Sequence, residues 1–232
     1  MKLFVTTIVA LSFLGSALIL RDGILEFRKL GDSIEVRGLD ERTVKSDQAT
    51  WQIRYVVSAE DMKQLFSISS QMNDNIISFL VARGFSKSEI QKTPLSVSDR
   101  TADNYTNNSR APRFSGRGSI LVSTANVDLV TTASEATDTL LSQGVILEGS
   151  EVAYYFTGLN SIKPEMLKAA SQSATAAAES LAKDTGVRLG KVKQVSQGLF
   201  SISSPFSDAE YTATSSVMKK VRVVTKASYA IE

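Results

Sequence analysis

Ser216-Val217-Met218-Lys219 has the S-x-x-K spacing that pairs a serine nucleophile with a lysine base in penicillin-binding enzymes. That chemistry needs the serine at the start of a helix, so that one turn sets the lysine beside it. Here the four residues lead into a strand pattern, where residues three apart face opposite ways, and the companion S-D-N and K-T-G elements are missing. A chance match is the expected reading. Hydrolysis by paired carboxylates needs two acids converging in one cleft. Asp40, Glu41 and Asp47 instead share a short stretch with Arg42 and Lys45, where solvated pairing is expected. The chain has neither an Asp-x-Asp-x-Asp-Gly calcium loop nor a Gly-rich phosphate loop. Trp51, Tyr55, Tyr154 and Phe156 suit a sheet core better than a ligand platform.

The chain has no His and no Cys. The commonest general base near neutral pH is therefore absent, with the soft metal ligands, thiol nucleophiles and Ser-His-Asp triads. No catalytic, cofactor-binding or metal-ligating residue is expected, and an enzyme built from Asp, Glu or Lys alone is the minor reading. At 43% hydrophobic and 22% charged residues, the 232-residue chain has globular composition. A net charge of +2, without a basic run, sets nucleic acid aside as a partner.

Positioning begins with the N-terminus. Leu3 to Leu20 carries no charge and ends at Arg21-Asp22. As a helix it reaches roughly 27 Å at about 1.5 Å per residue, barely enough for a hydrocarbon core of roughly 30 Å. Residues 1–21 are expected to be a signal-anchor holding the chain to the membrane through residues 3–20. The alternative is a signal peptide cleaved after the small residues Gly15-Ser16-Ala17. Residues 22–32 then form a linker, and 33–232 one domain.

Within that domain, Ser33 to Leu39 and Thr50 to Ser58 carry strand patterns, with Gly38-Leu39-Asp40-Glu41 expected to turn between them. Ser58, with Asp61 three residues on, resembles a capping box opening a helix that stops at Gly84. Asn126 to Gln143 predicts a second helix stopping at Gly144. Pro164 to Thr185 predicts a third, with Pro164 at its first position and Gly186 after its end. Its alanine-rich centre suits close packing, since Lys168, Glu179, Lys183 and Asp184 argue against a membrane span. Gly118 to Ser123, the Val152-Tyr154-Phe156 alternation, and a closing hairpin of Val192–Ser203 with Met218–Ile231 supply more strands. The expected fold is α+β: a largely antiparallel sheet with three helices, in ferredoxin-like β-α-β-β-α-β order followed by α-β-β. Two polar stretches, Ser98–Ser115 and Ser203–Ser216, are loops of a length that is usually functional or disordered, and the first is expected to project from a hairpin end as a contact arm or a merely mobile loop.

Val36 to Asp47 followed by Ala49-Thr50-Trp51, Tyr155 to Met166, Gly190-Lys191-Val192 to Ile202, and Lys220 to Thr225 together resemble the SIMPL domain family over about residues 33–232. The resemblance implies a periplasmic or envelope protein without established catalytic residues. Some members are linked to oxidative-stress tolerance, and the Brucella periplasmic immunogenic protein forms a ring-like homo-oligomer. From this follows the expectation of a non-enzymatic, self-assembling periplasmic scaffold or stress-protective protein, anchored to the inner membrane and partnered by copies of itself. The alternative is a periplasmic small-molecule or peptide-binding module, soluble or secreted if the leader is cleaved.

Overall fold

The computed structural model describes residues 33–101, 111–206 and 213–231. The expected N-terminal helix, the linker 22–32 and the centres of both long loops lie outside them. In chain order the elements are β1 (Ser33–Lys45), β2 (Gln48–Ala59), α1 (Met62–Ala82), β3 (Ile90–Lys92), β4 (Ser96–Asp99) and β5 (Phe114–Thr124). Then come α2 (Val127–Glu135), α3 (Asp138–Ser142), β6 (Leu147–Tyr155), α4 (Leu159–Thr185), β7 (Leu189–Gln197), β8 (Ser201–Ser203) and β9 (Met218–Ile231). The class is α+β as expected, but the strands form two antiparallel sheets rather than one, and the described helices number four rather than three. The chain divides into two compact units: one contains 33–42, 162–201 and 222–231, the other 43–161 and 202–221.

The larger unit holds the sheet β3-β5-β2-β6, with β4 also on β5. Its elements follow the expected β-α-β-β-α-β succession from β2 to β6. The second strand is split into β3 and β4, and the second helix breaks at Ala136-Thr137 into α2 and α3. Trp51, Ile53, Tyr55 and Val57 alternate inward along β2 and are buried with Leu65, Ile76 and Leu80 of α1 and Val130 of α2. Tyr55 lies against Gly118 in the antiparallel register of β2 on β5. A Cβ at Gly118 would sit 2.3 Å from the Tyr55 ring. The missing side chain is what lets the ring cross and its hydroxyl reach Ser69 Oγ at 3.0 Å.

The smaller unit holds the residues of β1, β9 and β7 in that order, under α4. No turn occurs at Gly38-Leu39-Asp40-Glu41, because β1 runs straight through them. Gly38 has another role: its Cα faces α4 so closely that a Cβ would lie 2.0 Å from the Ala170 carbonyl oxygen. Met166, Ala170, Ala174, Ala178 and Ala182, four apart, form the buried stripe of that helix. The packing reading therefore holds, and no described helix is long and apolar enough to cross a membrane.

All three helix ends expected at glycine are present. Gly84, Gly144 and Gly186 have positive φ. Each N–H returns to the carbonyl three residues back, and the next residue's N–H to the carbonyl five back, the Schellman arrangement. Of the starts, the one at Asn126 is as expected, its side chain accepting from Leu129 N at 3.1 Å, and the other two differ. Asp61, not Ser58, caps α1, its carboxylate accepting from Gln64 N at 2.8 Å. The strand β2 extends to Ala59, so the cap falls beyond it at Asp61, whose short carboxylate suits an N-cap. Pro164 lies inside α4 instead of opening it, because Asp47 reaches across to start the helix earlier. That carboxylate accepts from Thr157 N at 2.8 Å and Gly158 N at 2.9 Å.

Candidate functional site

Lys219 enters β9 1% exposed, among the largest fully buried side chains. Its ammonium donates to the main-chain carbonyls of Ala213 and Ser216. Burial pushes its pKa down. Ser216 thus meets Lys219 through its backbone, and the S-x-x-K spacing closes a turn ahead of a strand. Asp40 accepts from Arg42 Nε at 3.2 Å, and Glu41 is paired with Arg222 at 3.4 Å. With Asp47 occupied at the start of α4, each of the three acids has its own partner. Trp51, Tyr55 and Tyr154 are buried, and their polar ends bond to Ser150, Ser69 and Thr131. Phe156 is half-buried. Among the described residues no group of three acidic side chains is set to hold a metal ion.

The Ser98–Ser115 loop springs from a hairpin: Ser98 pairs with Ser115 and Asp99 with Phe114 on β4 and β5. At its base Arg113 Nη2 donates to Asp99 at 2.8 Å and Thr101 Oγ1 at 2.7 Å. Together they hold the Asp99 carboxyl far below the usual carboxylate range.

The feature best suited to contact another macromolecule is β7. It pairs antiparallel with β9 on one side, and among the described residues no strand pairs with its other side. Every residue from Lys191 to Gln197 is exposed. Val195 sits opposite Ala227 and Val192 opposite Tyr229. Ala227 and Tyr229 belong to the buried cluster with Ala174 and Ala178 of α4. Val192 and Val195 therefore continue a core-facing row past the edge of the helix that covers it, and they stay 53% and 57% exposed. Leu199, just beyond, is 93% exposed. The ladder is interrupted between Leu189 and Gln194 and regular from Gln194 to Gln197. Edge strands commonly use such irregularities, with lysines such as Lys191 and Lys193, to discourage pairing. The regular stretch has neither device. Sequence reasoning placed a hairpin here but not its exposure. Val192 and Val195 are three apart, which breaks the period of two and is the one local sign of an irregular strand.

A family model described as SIMPL, protein of unknown function (DUF541), matches residues 34–229. No curated protein matches the chain. Two solved structures from Listeria innocua show weak likeness. One is a hydrolase, 8% identical, with a TM-score of 0.23 over 83% of this chain and 92% of the other. The second is an uncharacterized conserved protein, 9% identical, with a TM-score of 0.20 over 79% and 91%. At those scores neither carries an argument about fold or activity.

Proposed function

The chain belongs to the SIMPL family, and we propose that it is a non-enzymatic envelope scaffold or stress-protective protein that assembles with copies of itself through the open edge of β7. The observation that carries this reading is the pairing of an unprotected ladder, Gln194–Gln197, with an apolar row that the covering helix leaves bare. A second copy is the occupant that extends both features at once, because it brings the same ladder and the same uncovered row. Magnitudes decide that both are needed. Ladder hydrogen bonds contribute about 0.5–1.5 kcal/mol each, while lost translational and rotational freedom costs about 4–15 kcal/mol. Full burial of an exposed side chain gives roughly 1.5–3 kcal/mol. Leu199 can gain nearly all of this on each partner and the half-covered Val192 and Val195 about half, so ladder and row together reach the range of a stable contact. Residues 3–20 would hold this assembly at the inner membrane, facing the periplasm.

Light scattering coupled to size exclusion on the full chain in mild detergent, over a range of concentrations, tests the proposal. The wild type is expected to give one discrete assembly. Val195→Lys, which sets a charge on the regular part of the edge, is expected to shift it toward monomer. A monomeric wild type, or an assembly indifferent to V195K, would sink the β7 reading.

A further inference from the structure

One hydrogen bond decides which peptide groups of β7 face its open side. Along an antiparallel pair, opposed residues alternate between those that exchange hydrogen bonds and those that do not. Gly198 N donates to Val224 O at 2.8 Å, one place beyond Gln197 opposite Thr225 and in the same register. Counting back by twos, Ser196 and Gln194 turn their peptide groups toward β9. Val195 and Gln197 turn theirs outward. Beyond Gln194 the register shifts, so these two residues carry the regular part of the open ladder. Their side chains, opposite Ala227 and Thr225, lie on the core-facing side, and Ser196, opposite Lys226, lies on the other.

Two outward residues spaced by two complement themselves in one way. Turned about a two-fold axis beside Ser196, a second β7 sets Val195 against the partner's Gln197, and Gln197 against the partner's Val195. Every outward N–H then meets an outward C=O. Centred on Val195 or on Gln197 instead, the pairing sends one of the two to Lys193 or Leu199, outside the regular stretch. A parallel pair in register would set the two Lys193 face to face, and like charges so placed repel. Antiparallel pairing carries them to opposite ends of the contact. The other edge of the same sheet, β1, is less open: Ser173 Oγ accepts from Leu39 N at 3.4 Å, and α4 lies against Gly38. The occupant that fits β7 best is therefore β7 itself.

We propose that the β7 contact is two-fold symmetric and antiparallel, centred on Ser196, so that two copies form one continuous sheet in the order β1-β9-β7-β7-β9-β1. This rests on the assembly through β7 proposed above and specifies its partner surface. A contact of this kind, with the same patch on both subunits, is closed by two copies. Any assembly larger than a dimer is therefore built through another surface.

The chain has no Cys, so a single introduced thiol reports on its own partner. Opposed residues that exchange no hydrogen bonds have Cα atoms about 4.5 Å apart, within the roughly 4.4–6.8 Å that a disulfide spans. Ser196→Cys and Gln194→Cys are compared in the full chain in mild detergent, by non-reducing electrophoresis after mild oxidation. S196C is expected to link most of the protein into a covalent dimer. Gln194, on the same face, would lie about 13 Å from its own copy, four residues along at about 3.3 Å each, and Q194C is expected to stay unlinked. Linkage of both variants would indicate parallel strands, and linkage of Q194C alone another centre; either result overturns the proposal. Should neither link while light scattering still shows an assembly that V195K dissociates, the symmetry is wrong and assembly through β7 stands. A monomeric wild type removes both. Amide exchange gives a second readout without a new thiol: Gln197 N–H is expected to exchange at least tenfold more slowly in the wild-type assembly than in V195K. Equal rates overturn the proposal, whether fast in both or, because a segment of the same chain holds the edge, slow in both.

Discussion

Asp99 holds the base of the β4–β5 hairpin, and its protonation is the chain's clearest handle for pH. Arg113 and Thr101 keep its carboxyl far below the usual range, and Arg54 lowers that of Glu151 in the same way. For a depressed carboxylate the sign follows directly. The contribution to stability is complete above the unfolded value of about 3.9–4.3 and fades as pH falls through the folded one. Wild-type stability is therefore expected to drop below about pH 4, and Asp99→Asn to flatten that drop. Urea midpoints measured from pH 6 to pH 2.5 check this. Both partners are substantially exposed, so high salt should shrink the difference between the two proteins. At this scale the sequence was informative about types and poor on partners. It pointed to pairing of Asp40, Glu41 and Asp47 with Arg42 and Lys45, and of these only Asp40 with Arg42 is formed, since Glu41 meets Arg222 and Lys45 meets Asp128. It could not show that Asp47 meets Thr157 and Gly158, more than a hundred residues away, nor that Lys219 turns inward.

The strand β1 approaches α4 closely, and Gly38 permits it. Adding one methyl group would place Cβ 2.0 Å from Ala170 O and 2.3 Å from Ala174 N, both backbone atoms that cannot swing aside. Gly38→Ala must therefore push the helix off the strand. Overpacking of this kind costs about 1–3 kcal/mol and more where backbone has to move; a loss of about 3 kcal/mol in urea unfolding is expected. A change under 1 kcal/mol would mean that β1 shifts freely. The alanine stripe that receives Gly38 was legible in the sequence, as a small-sided helix made for close packing. So were all three helix ends, because a glycine followed by an apolar residue (Phe85, Val145 or Val187) is a local signal. Of the starts, only that at Asn126 was legible. Caps depend on where the preceding strand stops and on distant side chains, which is why Ser58 and Pro164 were misplaced. The glycine at 38 signals a turn as readily as a close contact, and only the tertiary packing separates them.

For the whole molecule, the decisive fact is that the smaller unit is assembled from three separated stretches of chain. The succession β2 to β6 is local and was readable as a β-α-β-β-α-β run. The exchange of strands between the beginning and end of the chain was not, because β1 and β9 carry strand patterns that say nothing about which sheet receives them. The residues from 222 onward supply the strand between β1 and β7, and with Ala227 and Tyr229 much of the cover for Ala174 and Ala178. Deleting residues 222–232 leaves β1 and β7 without a common neighbour and α4 without the surface against which its stripe is buried. The larger unit keeps its own core, in which the single tryptophan, Trp51, touches Phe79 of α1 and Phe85 just beyond it. The truncated chain is therefore expected to lose protease resistance and amide protection in α4 while Trp51 keeps the blue-shifted emission of a buried indole. A red shift of Trp51 on truncation would show that the two units unfold together, and that the larger core depends on β9 as much as the smaller one does.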